Sequence, residues 1–184
     1  MTIRREVKRD KHWNPGRDRT HRYHCAKPRP GNRIFQKAFG AQPLYSLVNK
    51  QDQPMGSEDA GPKNGLLPGT AIVAITMLRF AHGPNIEVFE IDRPNRTEPT
   101  GIADIGISHF SVSVENIENA CERFEKAGGS LLEGPYPLSG QEEGPGNMGR
   151  FELSPWGLLV EFIQLEAPIQ YDTGVTATRW LPAP

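Results

Sequence analysis

The chain has 184 residues, of which 36% are hydrophobic and 23% charged, with 17 prolines and 19 glycines. This length is sufficient for one ordinary domain with its own core. It contains no apolar run of about 18 residues, which argues against a membrane-spanning helix. Its two cysteines, Cys25 and Cys121, are too few and too far apart in the sequence to suggest a disulfide framework.

The charge is divided unevenly along the chain. Residues 1–40 carry 12 Lys and Arg against 3 Asp and Glu, a net +9, whereas residues 41–184 carry 9 against 19, a net −10. No apolar stretch follows the basic start, so we expect no secretory signal and a cytoplasmic location. Residues 1–34 have neither helical nor strand periodicity, which predicts an irregular or disordered basic segment. Nucleic-acid binding would need a folded presenting surface or interleaved aromatic residues, and a solvated tail is favoured over it.

The middle of the chain reads as a helix end followed by strands. Residues 35–40 resemble the last turn of a helix, with Gly40 suited to a left-handed cap. Residues 43–48, 70–80 and 86–91 have the composition of strands. Between them, residues 51–69 are rich in Gly, Pro and Asp and predict a long loop, and residues 93–104 predict a polar linker.

The second half shows a complete β-α-β-β-β order. Residues 105–114 alternate as a strand does, and residues 130–133, 150–153 and 158–164 predict three more strands. A helix opening at 115–118 ends at a Gly-Gly pair. Its apolar face follows helical spacing and consists of Ile117, Ala120, Cys121, Phe124 and Ala127. A Gly-rich loop spans residues 139–149.

Two stretches indicate an internal repeat. FQKAFGAQPLY at 35–45 is similar to FEKAGGSLLEGPY at 124–136, and IEVFE at 86–90 is similar to VEFIQ at 160–164. We therefore predict a duplicated module. The first copy, residues 35–92, is partial, because it lacks its opening strand and most of its helix. The second copy spans residues 105–166, and a tail follows at 167–184.

The motifs GISHFSVSV at 106–114 and FELSPWGLLVE at 151–161 resemble the vicinal oxygen chelate superfamily of glyoxalases, bleomycin resistance proteins and dioxygenases. GPNIE at 83–87 fits the end of a first module. The resemblance covers about residues 35–184. It implies an α+β fold in which two βαβββ modules form a cupped mixed sheet, with the first module incomplete at its N-terminus. The reaction is less constrained, because one such fold hosts many chemistries.

The resemblance also implies a metal site, because members of this superfamily place ligands on the first and last strands of each module. The positions are Glu87 in the first module and His109 and Glu161 in the second, which predicts a divalent Zn, Ni, Mn or Fe ion of undefined identity. Glu161 stands in an otherwise apolar strand, where a carboxylate needs a partner, and it is the candidate catalytic proton shuttle. The alternative for His109 is a hydrogen-bonded core residue, and His82 is interpreted as a turn residue.

The first ligand of the first module has no counterpart in the written chain. Codon degeneracy allows residues 20–33, read one nucleotide later, to encode HIGITVPNLDQATE, which continues into residues 35–38 as a strand and helix start. We therefore hypothesise that residues 1–34 include a frameshifted stretch. Sequencing related genes tests this hypothesis, and an uninterrupted in-frame match to residues 4–33 would refute it.

The favoured function is a glyoxalase-like, metal-dependent enzyme of the lyase or isomerase type that acts on a small vicinal-oxygen substrate. The alternatives are a ring-cleaving dioxygenase, which prefers two His and one carboxylate, an epimerase, and a non-catalytic protein that sequesters ligands as bleomycin resistance proteins do. A damaged first module that no longer closes the cup is a further alternative. The expected partners are a small-molecule substrate and a second copy in a homodimer, with no nucleic acid and no membrane.

Overall fold

The structure is a computed structural model that describes residues 30–80, 83–94, 98–177 and 179. The helices are α1 (Pro30–Phe39), α2 (Ser57–Asn64) and α3 (Ile117–Lys126). The strands of the first half are β1 (Gln42–Val48), β2 (Met55–Gly56), β3 (Ala71–Arg79) and β4 (Asn85–Asp92). Those of the second half are β5 (His109–Ser113), β6 (Ser130–Leu131), β7 (Tyr136–Pro137), β8 (Met148–Leu153) and β9 (Leu159–Gln164).

The second module has the predicted βαβββ topology. Its sheet runs β5-β9-β8-β6, with β7 paired to β8. Strands β5 and β9 are parallel, and the other pairings are antiparallel. The parallel pair is possible because α3 and the intervening strands form a long crossover connection between β5 and β9. The predicted face of α3 is buried, and Asn116 caps the helix by accepting the Asn119 N–H. The opening strand is shorter than predicted, because Ile105 and Ile107 are exposed and only residues 109–113 pair with β9.

The first module repeats the same order without an opening strand in the described part of the chain. Strand β3 is central, pairing with β1 and β2 along one edge and with β4 along the other, all antiparallel. Helix α1 precedes β1 as α3 precedes β6. The expected α+β fold is confirmed, and the described residues contain the first module without its opening strand.

Helix α1 begins at Pro30, earlier than the predicted boundary at residue 34. Proline is tolerated in a first helical turn, because an N–H there has no intrahelical acceptor. The helix continues because Ile34, Phe35 and Ala38 form a buried stripe. Gly40 closes it at φ 65, the left-handed conformation predicted for this residue. Residues 1–29, where the rest of the basic segment and most of the alternative reading frame fall, lie outside the described residues.

The prediction of a loop over residues 51–69 is wrong, since this stretch contains β2 and the eight-residue helix α2. Gly61 and Pro62 disfavour a helix locally. The helix forms because Ala60 is buried against Val48, Ile72 and Ile75 on the face of the first sheet opposite α1. Gly65 ends it at φ 77, with its N–H donating to the Gly61 carbonyl. Tertiary packing therefore overrides the local composition.

One core joins the two modules. Helices α1 and α3 pack together, and their apolar faces meet the two sheets in a single cluster that includes Phe35, Leu78, Phe124 and Phe162. The Phe39 ring lies 5.8 Å from that of Phe124 and 5.7 Å from that of Phe162, centroid to centroid.

No helix in the described ranges is long and apolar enough to cross a membrane.

Candidate metal centre

The candidate site lies on the face of the second sheet that is turned away from α3, which we call the site face. Alternation along β5 and β9 sends Phe110, Val112, Val160 and Phe162 toward α3 and the core. His109 and Ser111 on β5 therefore share the opposite face with Glu161 on β9. The parallel register places Ser111 directly beside Glu161 and His109 beside Leu159. Two predicted ligands are thereby brought to neighbouring strands.

His109 and Glu161 converge at this face. The His109 Nε2 and Glu161 Oε2 atoms are 3.8 Å apart, with 28% and 16% of the respective side chains exposed. Both groups are therefore sheltered but reachable from solvent. The His109 ring and the ring of Phe151 on β8 pack nearly perpendicular to each other, with centroids 5.2 Å apart and an interplanar angle of 83°. This contact restricts the orientation of the imidazole.

Two serines orient the pair. The Ser108 hydroxyl lies 2.9 Å from His109 Nδ1, and an Nδ1–H that donates to it leaves the Nε2 lone pair facing Glu161. On β5 the Ser111 hydroxyl donates to Glu161 Oε2 over 2.6 Å. These contacts correspond to the outer hydrogen bonds that commonly fix metal-binding histidines and carboxylates.

Glu87 is not brought to the pair. It stands on β4 of the first sheet, opposite Met77 of β3, and its side chain is exposed. In the described ranges, no three His, Cys, Asp or Glu side chains lie close enough together to hold one metal ion. His82, interpreted as a turn residue, falls outside the described residues.

Tyr136 is a site residue that the sequence did not reveal. It lies on β7 opposite Gly149, and a Cβ atom at position 149 would lie 3.1 Å from the Tyr136 ring. Gly149 follows the same alternation as Phe151, so the ring covers the site face. Burial, together with the negative charges of Glu161 and Glu152, raises the pKa of the Tyr136 phenol. The phenol therefore remains a hydrogen-bond donor near Glu161.

Comparison with known proteins agrees with this architecture. The model of the Glyoxalase/Bleomycin resistance protein/Dioxygenase superfamily matches residues 33–162, and the chain belongs to that superfamily. A 2-epi-5-epi-valiolone epimerase from Actinomyces sp is 29% identical over 148 residues, covering 77% of this chain and 76% of the relative. The crystal structure of a glyoxalase family protein from Bacillus cereus superposes with a TM-score of 0.51 at 17% identity, covering 69% of this chain and 79% of that one. The superposition supports the fold.

The donor set fits two positions of a metal's coordination shell. One imidazole nitrogen and one carboxylate oxygen suit borderline divalent ions. Their 3.8 Å separation is within the roughly 4.2 Å that two bonds of about 2.1 Å can span. In the described part of the chain these are the only two of the three expected ligands that meet.

Proposed function

We propose that this protein is a metal-dependent enzyme of the isomerase type that moves a proton on a small substrate bearing vicinal oxygens. The observation that carries the proposal is the approach of His109 Nε2 to Glu161 Oε2 on one sheltered face. The name of the Actinomyces relative, an epimerase, supports a proton-transfer reaction over a ring cleavage. The described residues also favour this choice, since they place one histidine at the site and not the two of a typical dioxygenase centre.

His109 and Glu161 would hold the ion, with Glu87 proposed as a third ligand contributed by the first sheet. When bound, the metal supplies Lewis-acid polarisation of the substrate oxygens. Glu161 acts as the base: one of its oxygens removes the proton from the hydroxyl-bearing carbon next to the carbonyl and returns it to the former carbonyl carbon, while the hydroxyl proton passes to the former carbonyl oxygen. The Ser111 hydroxyl holds the other oxygen in place throughout. The Tyr136 phenol donates a hydrogen bond to a substrate oxygen.

Metal content tests the ligand assignment. The full chain, loaded separately with Zn, Ni, Mn or Fe(II) and desalted, should retain about one ion per chain of at least one metal. His109→Ala and Glu161→Gln should each lower metal affinity about 10- to 100-fold or more, because each removes a direct ligand. Inductively coupled plasma mass spectrometry gives the stoichiometry.

The matched control is Glu133→Gln, an exposed carboxylate outside the site, which should retain the metal. Glu87→Gln tests whether Glu87 is the third ligand. A loss of metal affinity like that of Glu161→Gln would support a three-ligand set, and an unchanged metal affinity would exclude Glu87 from it. A wild-type chain that binds none of the four metals would refute the metal centre. Tight metal-free binding of a small molecule would then favour the sequestration alternative.

Proton transfer is tested by solvent exchange. In D2O, the metal-loaded protein should incorporate deuterium next to the carbonyl of a small α-hydroxyketone, followed by NMR. At a metal concentration that saturates the variant, Glu161→Gln should slow this exchange about 100-fold or more, because an amide cannot accept the proton. Tyr136→Phe should slow it less, since the base remains. Exchange that proceeds equally fast in Glu161→Gln would exclude Glu161 as the base.

A further inference from the structure

A cavity lies on the first sheet, and neither His109 nor Glu161 lines it. It has a volume of about 390 Å³ and opens between the chain that follows α2 and the exposed face of β3 and β4. The volume is within the range of small-molecule sites. Its walls are mostly apolar, and the main contributors are Leu66, Leu67, Ile72, Phe89 and Ile91.

Arg93 is the charged side chain at this cavity. It follows β4 directly and is half-buried, yet it makes no hydrogen bond or ion pair in the described part of the chain. The half-buried arginines later in the chain have acceptors. Arg150 donates to the Leu132 carbonyl and Arg179 donates to Glu142. A partly desolvated guanidinium without an acceptor favours an incoming anion, which restores its hydrogen bonds in a bidentate arrangement.

The charge around the cavity limits which anion fits. Along β4, Glu87 shares the face of Phe89 and Ile91, because residues two apart point the same way. Glu90 points to the other face, where it forms an ion pair with Lys50 at 2.6 Å. In the metal-free chain, this carboxylate on the cavity face, two residues from Phe89, repels a dianion more strongly than a monoanion.

We propose that this cavity binds a small monocarboxylate with an apolar body, whose carboxylate pairs with Arg93 and whose body contacts Phe89 and Ile72. The proposal goes beyond the proposed function, which needs neither residue. The apolar walls account for retention of the body, and the guanidinium accounts for the preference for a carboxylate over a neutral analogue.

The test uses 2-naphthoate and its neutral isostere 2-naphthamide as probes, titrated into the full chain and followed by protein NMR. Naphthoate should bind saturably and more tightly than naphthamide. Arg93→Gln should weaken naphthoate at least about tenfold, as expected for loss of a charged hydrogen-bonded pair, and should leave naphthamide unchanged. Phe89→Ala should weaken both probes. Arg33→Gln, an exposed arginine of α1 on the other side of the sheet, should change neither.

Equal naphthoate affinity in the wild type and Arg93→Gln would overturn the proposal, as would a lack of saturable naphthoate binding. A thermal melt of Arg93→Gln should match the wild type, because the described residues give this side chain no partner to lose. Weaker binding would then not reflect unfolding. His109→Ala should keep naphthoate binding. Metal content therefore tests the metal centre, and naphthoate binding tests this cavity independently of it.

Discussion

Glu152→Gln is expected to stabilise the protein by roughly 3 to 5 kcal/mol at about pH 9, and by only about 1 kcal/mol at about pH 5. The Glu152 side chain is fully buried on the α3 side of the second sheet, and its Oε2 atom has no hydrogen-bond partner in the described residues. Its other oxygen lies 4.0 Å from the Cys121 sulfur. An ionised carboxylate is costly there.

Burial raises the pKa of Glu152 from 4.5 to about 8, against the opposing effect of the Arg150 guanidinium and with a smaller addition from Glu161. The folded state therefore binds this proton more tightly than the unfolded state does. The contribution of Glu152 to stability is greatest below about pH 4.5, falls as the pH rises toward 8, and levels off above that. The amide of glutamine carries no charge and removes this dependence.

Urea unfolding of both proteins across this pH range measures the effect. The matched control is Glu125→Gln on α3, which is exposed and should leave the pH dependence of unfolding unchanged. A constant difference in unfolding free energy between Glu152→Gln and the wild type from pH 5 to pH 9 would contradict the assignment of a raised pKa.

Phe124→Ala should lower the free energy of unfolding by about 3 to 5 kcal/mol, because it removes a fully buried aromatic side chain and leaves a cavity. The ring packs edge-on against Phe162 at 5.7 Å and beside Phe39 at 5.8 Å. It therefore contacts the second sheet and the helix of the first module at once. The loss should appear in a single unfolding transition of the whole chain, since both modules share this core.

Phe89→Ala provides the matched control, because 45% of that side chain is exposed and its removal should cost far less. Circular dichroism and tryptophan fluorescence, followed together during denaturation, separate the possibilities. Two transitions, with only the later one shifted by Phe124→Ala, would show that the modules unfold independently.

The second module could be predicted from the sequence alone. The spacing of Ile117, Ala120, Cys121, Phe124 and Ala127 is a helical period that only a buried face explains. All five are buried, four of them in α3 and Ala127 at its C-terminal cap. The similarity of residues 86–90 to 160–164 identified β4 and β9 as repeated last strands. His109 and Glu161 were predicted from the resemblance to the superfamily, which implies ligands on the first and last strands of each module. For Glu161, the otherwise apolar strand around it supported the prediction.

The remaining features could not be predicted from the sequence, because they depend on contacts between residues that are distant in it. Helix α2 forms from a Gly- and Pro-containing stretch because Ala60 finds a buried position against β3. Tyr136 reaches the site face through its pairing with Gly149, for which the local sequence gives no signal. Likewise, Glu87 matched Glu161 in the repeat, but the structure leaves it on the other sheet. Periodicity reports which face of an element is buried, and it cannot report which elements that face will meet.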